Sequence, residues 1–379
     1  MPGTSSSSSA SQRVMRGSHR QHDGATAIGT IIDRNMWLHA AVLVRQLVQL
    51  RTMLPIVVFN LTALPTEAVS LLQSLGAVVS SLDPPMPVPD EFNSPLLPRP
   101  FATRQGSLVL GRYAPYAKLA AWGQTQWSKI VLVDVDVAVL DNLDEMATFP
   151  IDSFTPETCN SIAPERCAER PTSHVSSGFN AGVMIVGPSA QTFASMASFA
   201  TEHIASLLRG CVNSSQAAAV ERHYLAYPEQ SFLKRYWPMV MKATIEGGGR
   251  ARAGYDWQWK TVPQDASACA ADSPRGCGTS NFLSRTYNAR SHDCHTCSAA
   301  YASKVKIVHF TCRFKPWQYS SAALESCAAG GACPRLGTPP LAPCEANWTL
   351  QWHIARDAVR VAWRARGTDR AAATPRLLA

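Results

Sequence analysis

Short apolar runs alternate with amphipathic segments along the first part of the chain. Residues 27–32 form an apolar run, and apolar residues at helical spacing follow over residues 37–48. Residues 55–59 are predicted to form a second strand, residues 66–75 a short helix and residues 77–79 a third strand. Strand, helix, strand, helix and strand in this order predict a parallel sheet with helices on its faces.

The middle of the chain carries the most continuous apolar runs. Seven prolines within residues 84–100 exclude regular secondary structure there, and apolar residues at helical spacing resume over residues 113–127. Residues 129–134 form a run typical of a strand at the centre of a parallel sheet, and residues 182–186 form another. Residues 306–310 are predicted to form a last short strand. The chain is therefore predicted to be an α/β protein.

The same pattern divides the chain into regions. Residues 1–26 are rich in serine and are predicted to be a disordered tail. Residues 27–320 are predicted to form the main domain, with an irregular cysteine-rich insertion at about residues 247–300. Residues 321–379 form a cysteine-rich extension that ends in a basic helix over residues 352–366, with two tryptophans and a valine on one side.

The net charge of +8 on 379 residues lies mostly at the ends of the chain. Residues 351–379 carry +4 and residues 1–26 carry +2, which leaves +2 for residues 27–350. A nearly neutral body argues against a nucleic-acid groove across it. No run reaches the ~18 apolar residues of a membrane span, and the first residues lack the apolar segment of a secretory signal.

Eleven cysteines are many for a cytosolic enzyme, and eight of them lie within residues 269–344. Glycosylation sequons begin at Asn60, Asn213 and Asn347. Both features favour an oxidising compartment such as the Golgi or secretory lumen. The missing secretory signal favours the cytoplasm, so both locations stay open. A Cys-His-Thr-Cys run at residues 294–297 could be half of a zinc site, but no matching second half is visible, which favours structural disulfides.

Two acidic residues stand at the end of the apolar run 129–134. Asp134 and Asp136 are separated only by Val135, and ligands of open α/β sheets bind at the carboxyl ends of strands. Two carboxylates there could hold a hard divalent cation against a diphosphate. Aspartate is also common where strands end, so this pattern alone leaves the metal site open.

His309 ends the last short strand, and Lys315 follows it in a turn before Pro316. Imidazole is a suitable Mn²⁺ ligand, so His309 could be a third ligand, and Lys315 could meet a phosphate as a point charge. A partly buried histidine and an exposed lysine explain the same residues without a ligand.

Two further segments carry polar residues beside apolar ones. Asn180 precedes a strand and could bond a sugar hydroxyl, while Gly182 allows close backbone approach. A simple turn into the strand is the alternative. Glu229 and Gln230 open a predicted helix, where capping and the helix dipole are the alternative explanation.

Together these segments resemble glycosyltransferase family 8, the glycogenin-like group. The order and spacing of the segments carry the resemblance. The matching blocks are residues 116–122, 129–146 with its Asp-Val-Asp and Leu-Asp-Asn-Leu-Asp-Glu-Met runs, 179–184 with Phe-Asn-Ala-Gly-Val-Met, 229–230 with Glu-Gln, and 309–317 with His-Phe-Thr-Cys-Arg-Phe-Lys-Pro-Trp.

The resemblance implies a GT-A fold, in which a Rossmann-like, mostly parallel central sheet flanked by helices joins a smaller mixed region. It implies a retaining transferase that depends on Mn²⁺ or Mg²⁺ and moves a hexose or pentose from a UDP-sugar to a glycan or glycoprotein acceptor. The residues carried over by motif are the metal ligands Asp134, Asp136 and His309, the donor-binding residues Asp134, Val135, Lys118, Lys315 and Trp37, and the residues at the reacting sugar Asn180, Glu229 and Gln230.

Two residues depart from the family pattern. Glu229 stands where the family has aspartate, and Cys312 stands where a glycine near the pyrophosphate is usual. They leave open an alternative in which the protein is a catalytically weak binding module for nucleotide sugars or glycans. A third interpretation, a secreted disulfide-rich interaction protein, explains the cysteines but not the ordered blocks. Because residues 351–379 lie outside the blocks, we expect their removal to leave turnover intact.

Overall fold

The computed structural model describes residues 24–83, 85–87, 89–93, 111–156, 179–224, 230–233, 236, 283, 285–291, 302–310, 315–331, 333 and 343–365. Most of the predicted tail and of the cysteine-rich insertion lie outside them, as do Glu229, Cys312 and residues 294–297.

A six-stranded, mostly parallel sheet forms the centre of the molecule, in the order β3-β2-β1-β4-β7-β6. Its strands are β1 (Thr26–Ile32), β2 (Ile56–Asn60), β3 (Ala77–Ser81), β4 (Lys129–Val133), β6 (Ser153–Pro156) and β7 (Phe179–Val186). The first four run parallel, whereas β7 is antiparallel to β4 and β6 is antiparallel to β7. The strand order reverses at β1, because β2 and β4 lie on its two sides.

Helices cover both faces of this sheet. The helices in the described part of the chain are α1 (Trp37–Gln49), α2 (Thr66–Ser74), α3 (Ala190–Ser198), α4 (Ala205–Arg209), α5 (Ser214–Tyr224), α6 (Ser321–Ala328), which packs on α7, and α7 (Pro343–Arg364). A π-helical turn, Phe199–Ile204, joins α3 to α4, and a 3₁₀ helix spans Gly111–Gly123. Helices α1, α2 and α7 pack on one face, and the 3₁₀ helix and α3 pack on the other. Each face of the sheet therefore has its own hydrophobic core, which explains why the central strands are apolar on both faces.

A second, three-stranded sheet stands beside the first. Its strands are β5 (Val137–Val139), β8 (Ala289–Arg290) and β9 (Ile307–His309), in the order β5-β9-β8. The chain passes from β4 of the first sheet into β5 of the second through the three residues Asp134, Val135 and Asp136. Backbone hydrogen bonds hold this crossing, from Asp134 N–H to Gly182 O (2.8 Å) and from Phe310 N–H to Asp136 O (2.9 Å).

The structure confirms the predicted α/β class and the predicted order β1-α1-β2-α2-β3 followed by β4. It corrects the direction of β7, which is antiparallel, because an apolar run reports burial on two faces and not direction. The helical segment at residues 111–123 is a 3₁₀ helix, and a single 3₁₀ turn at Asp90–Asn93 lies in the proline-rich segment where none was expected. Strand β6 and the second sheet as a unit were not predicted.

Helix α7 includes residues 352–364 of the predicted basic helix and begins nine residues earlier than expected, at Pro343. Its buried side includes Trp352, which is 2% exposed, and Val359, and both belong to the same core as α1 and β5. Among its basic residues, Arg356 and Arg360 pair with Asp357 at 2.9 and 3.3 Å. The helix is therefore part of the domain core, and its burial argues against the expectation that removal of residues 351–379 leaves turnover intact. Among the described helices, none is long and apolar enough to cross a membrane.

Candidate active site

The two acidic residues of the candidate site lie where the chain leaves the central sheet. Strand β4 ends at Val133, beside β1, and this is the point where the strand order reverses. Clefts in open α/β sheets form at such switch points, at the carboxyl ends of the strands. Asp134 and Asp136 have half-buried side chains, and Val135 between them is buried. The chain bends at Val135 and Asp136, and both carboxylates lie within 4.0 Å of the same histidine nitrogen, His309 Nε2.

His309 reaches the same place from the second sheet. It is the last residue of β9 and pairs in register with Val137, the residue that follows Asp136. Its Nε2 lies 3.3 Å from Asp136 Oδ1 and 4.0 Å from Asp134 Oδ2. One ligand atom from each of the three residues lies within 4.8 Å of the others. Pairing between β5 and β9 thus brings together residues that are far apart in sequence.

This group fits a divalent cation. Two carboxylates and one imidazole form a mixed oxygen and nitrogen donor set that suits Mn²⁺ and also Mg²⁺, although Mg²⁺ favours oxygen ligands more strongly. Both aspartates keep about a fifth of the side chain exposed, which leaves them accessible to an ion and its remaining ligands. His309 is 6% exposed and is held on its other side by a hydrogen bond to Asn288.

Two lysines lie against the two carboxylates. Lys118 Nζ is 2.7 Å from Asp134 Oδ1, and Lys315 Nζ is 2.5 Å from Asp136 Oδ2. Lys315 also donates a hydrogen bond to the carbonyl of Phe310. Both lysine side chains are largely buried. The site therefore combines acidic ligands with ammonium groups, an arrangement that can accept a cation together with an anionic ligand.

The two carboxylates differ in their electrostatic surroundings. Burial raises the pKa of Asp136, but the charges and hydrogen bonds of His309 and Lys315 lower it more, so its pKa lies below the ordinary value. Burial, opposed by Lys118 and reinforced by the charge of Asp136, raises the pKa of Asp134. Asp136 is therefore the more firmly ionised of the two, as a hard-cation ligand must be.

Gly182 lies against His309, and Asn180 is connected to His309 through Asn288. Asn180 is in β7, and its Oδ1 accepts hydrogen bonds from Gly182 N–H and Asn288 Nδ2, both at 2.8 Å. Asn288 in turn contacts His309 Nδ1 through its Oδ1 at 3.0 Å. Asn288 was not singled out from the sequence, where it is only a polar residue before a two-residue strand. Its position next to His309 depends on the pairing of β8 with β9.

Trp37 and Gln230 are not joined to this group. Trp37 begins α1 and is 8% exposed, and its ring lies 5.2 Å from that of Trp363 in α7. This packing occupies the ring, so the expected stacking on uracil is not supported. Gln230 is half-buried in a short helical segment, next to buried residues that pack near Tyr116. No hydrogen bond within the described part of the chain connects Gln230 to the Asp134–Asp136–His309 group.

The Leu-Asp-Asn-Leu-Asp-Glu-Met run after β5 has a structural role. Asp144 accepts hydrogen bonds from Met53 N–H at 2.9 Å and from the Thr52 hydroxyl, and Asn142 Nδ2 donates to Leu50 O at 3.1 Å. Glu145 accepts from the Tyr287 hydroxyl at 2.7 Å. The run ties the end of α1 and the segment before β8 to the exit of β5, and so supports the strands that carry the site.

Comparison with known proteins identifies the family. Residues 28–241 match the family model for glycosyl transferase family 8, which covers more than half of the chain. The chain belongs to glycosyltransferase family 8. The matched span contains Asp134, Asp136, Lys118 and Asn180 and ends before His309. The mostly parallel sheet with its flanking helices is the GT-A fold that the resemblance implied.

Two curated relatives are galactinol synthases of plants. Galactinol synthase 1 of Ajuga reptans is 25% identical over 171 residues, which cover 40% of this chain and 47% of the relative. Galactinol synthase 4 of Arabidopsis thaliana is 30% identical over 105 residues, which cover 27% of each protein. The chain thus matches about half of one relative's length and about a quarter of the other's.

Among solved structures, the galactosyltransferase LgtC in complex with donor and acceptor sugar analogues is similar at 12% identity and a TM-score of 0.40. The match covers 88% of this chain and 95% of that one.

Proposed function

We propose that this protein is a retaining glycosyltransferase that moves a hexose or pentose from a UDP-sugar to a glycan or glycoprotein acceptor, with Mn²⁺ or Mg²⁺ held by Asp134, Asp136 and His309. The observation that carries the proposal is the group of three ligand atoms within 4.8 Å of one another at the sheet's switch point. Family membership supplies the reaction class, and the donor set supplies the reason for a cation.

The bound cation would act as a Lewis acid that neutralises charge on the diphosphate leaving group. Lys118 and Lys315 support the same proposal because their ammonium groups lie at the edge of the ligand group. An arriving diphosphate would offer each lysine a second anionic partner beside its carboxylate. A leaving group stabilised in this way needs no strong acid to protonate it.

The reacting sugar would pass through an oxocarbenium-like state. Retention of configuration requires either a nucleophile on the far face of the sugar or attack from the same face as the leaving group. Gln230 is a poor nucleophile, so we propose attack from the same face, with the carbonyl oxygen of Gln230 stabilising positive charge. Asn180, beside His309, would border the sugar. A covalent glycosyl-enzyme trapped on any residue would contradict this route.

We place the protein in the Golgi or secretory lumen. The disulfide between Cys327 and Cys333 supports this location, and Cys344 is disulfide-bonded as well. Structural disulfides persist in oxidising compartments and are rare in the cytosol. The sequons at Asn213 and Asn347 have exposed side chains, which is the condition for an acceptor.

The test is UDP release from a panel of UDP-sugars, with Mn²⁺ and with a chelator. We expect release from at least one donor in Mn²⁺ and little in chelator. Asp136→Asn should lower release by about 100-fold or more, because it removes one charged ligand and the partner of Lys315. The matched control is Asp83→Asn, which changes an exposed aspartate outside the site and should leave release unchanged.

The same measurements distinguish an active transferase from a catalytically weak binding module. UDP binding without release from any donor would favour the binding module for nucleotide sugars or glycans. If no donor gives release and Asp136→Asn leaves UDP binding unchanged, both interpretations of the site are wrong.

A further inference from the structure

The imidazole of His309 faces the two carboxylates with one nitrogen and Asn288 with the other. Nε2 points to Asp134 and Asp136, while Nδ1 lies 3.0 Å from Asn288 Oδ1. A histidine that binds a cation through one nitrogen must carry its proton on the other, and a hydrogen-bond partner normally sets this choice. The partner here is Asn288.

The orientation of the Asn288 amide can be worked out from the Gly182 N–H group, which can only donate a hydrogen bond. Gly182 N–H can only donate, so Asn180 must turn its Oδ1 toward it, at 2.8 Å. Asn288 contacts the same oxygen at 2.8 Å, so it must present its Nδ2 there. Its own Oδ1 is then directed at His309, where an oxygen can only accept. His309 Nδ1 must therefore carry a proton.

Packing confines the plane of the imidazole ring, and the hydrogen bond to Asn288 selects its orientation within that plane. Asn288 is 6% exposed, like His309, and the adjacent β8 pairs Arg290 with His309 in register. Gly182 lies directly against the imidazole, because a Cβ added there would overlap Cε1 and Nδ1 of His309. A flipped ring would place a carbon opposite Asn288 Oδ1 and lose this hydrogen bond, so the contact with Asn288 selects the observed orientation.

We infer that Asn288 is a positioning residue that holds His309 with the proton on Nδ1, so that Nε2 is the atom available to a cation. The inference rests on the proposed metal site. Asn288 touches neither carboxylate in this role; it acts through His309, and Asn180 and Gly182 set its orientation.

The experiment measures Mn²⁺ binding to the full chain from the electron paramagnetic resonance of free Mn²⁺. The variants are His309→Gln, Asn288→Leu, Asn288→Asp and the double variant His309→Gln/Asn288→Leu. Asn288→Leu keeps the size but removes the acceptor, and it should weaken Mn²⁺ binding by about 10- to 100-fold. Asn288→Asp keeps an acceptor for the Nδ1 proton but loses the donor to Asn180 Oδ1, so it should bind Mn²⁺ more tightly than Asn288→Leu and less tightly than the wild type.

The double variant separates positioning from general damage. If Asn288 acts through His309, removing Asn288 from a chain that already lacks His309 should cost no further affinity. Thermal unfolding of each variant provides the folding control, and Asn288→Ala replaces Asn288→Leu if leucine prevents folding. Full additivity in the double variant, wild-type affinity in Asn288→Leu, or an Asn288→Asp variant as weak as Asn288→Leu would each overturn the inference.

Failure of the metal site itself gives a different result. If His309→Gln binds Mn²⁺ as the wild type does, His309 is not a ligand, and the proposed metal set is wrong before Asn288 is considered. If His309→Gln weakens binding and Asn288→Leu does not, the metal set stands and the positioning role is wrong.

Discussion

Asp144 illustrates how a residue in a family-like block can serve the fold and not the chemistry. Its carboxylate gathers the Thr52 hydroxyl, two backbone N–H groups of residues 53–54 and the amide of Asn142. Burial raises the pKa of Asp144, but these hydrogen bonds lower it more, so its pKa lies below the ordinary value. Folding therefore favours the ionised form of this group.

The sign of this shift predicts the pH dependence. A carboxyl whose pKa is lower in the folded chain stabilises the protein above its unfolded pKa of about 4. That contribution is lost as the pH falls through the folded pKa. Asp144→Asn should therefore lower the free energy of unfolding at pH 7, and the difference from wild type should shrink below about pH 4. Urea unfolding at a series of pH values measures this, with Asp83→Asn as the control. A constant difference would contradict it.

The residues of the site were predictable to different degrees. Asp134, Asp136 and His309 stand at the ends of apolar runs, and the family resemblance indicated that they share a metal ion. The pairing of β9 with β5 in a second sheet, which brings them together, was not predicted. Asn288 carried no such signal, because its role comes from the register of two-residue β8 against β9. Trp37 was assigned by position alone, and the sequence did not show that Trp363, more than three hundred residues later, packs on it.

Among the elements, the strands that neighbour each other in sequence were the most predictable. The alternation from β1 to β3 fixes parallel pairing, because each strand returns through a helix. Strand β7 follows a long segment that has no such helix pattern, so its apolar run could not reveal that it runs antiparallel to β4. The second sheet combines strands of two or three residues from distant parts of the chain, which are too short for periodicity to detect.

Helix α7 shows how an element beyond the family match can support the site. His353 in α7 contacts the carbonyl of Pro316 through Nε2 at 2.8 Å, and Pro316 directly follows Lys315. Trp317 in the same turn lies between Trp352 of α7, at 5.9 Å between ring centroids, and His39 of α1, at 4.1 Å. Burial lowers the pKa of His39 to about 4, so this imidazole is neutral in the core. The turn that carries Lys315 is thus held between two helices.

This packing predicts how much free energy of unfolding the protein loses when a buried side chain of α7 is removed. Trp352→Ala should lower the free energy of unfolding by about 3–5 kcal/mol, because it leaves a cavity between α7, α1 and the Lys315 turn. Ile354→Ala is the matched control in the same helix, since Ile354 is 55% exposed, and it should change stability by less than about 0.5 kcal/mol. Guanidinium unfolding measures both.

Removal of residues 351–379 should abolish UDP release together with cooperative unfolding. A truncated chain that unfolds cooperatively and keeps wild-type release would show that α7 is dispensable, as the sequence alone suggested.

For the molecule as a whole, the positive charge acts through local pairs. Lys118 and Lys315 each pair with a carboxylate of the site, and Arg356 and Arg360 of α7 pair with Asp357. An anionic donor would be recognised by the two lysines and a cation at one cleft, and not by a broad positive field.

The disulfide between Cys327 and Cys333 closes a short loop at the end of α6, which packs on α7. Closing a loop of this length restricts the unfolded chain by about 2 kcal/mol. The double variant Cys327→Ser/Cys333→Ser should therefore unfold at a lower temperature than the wild type, by a few degrees.

Cys211 carries a free thiol, so Cys211→Ser should leave the unfolding temperature unchanged and is the matched control. Calorimetry of the three proteins without reductant makes the comparison. An unfolding temperature in the double variant equal to that of wild type would show that the bridge does not stabilise the fold, and would remove a support for the luminal location.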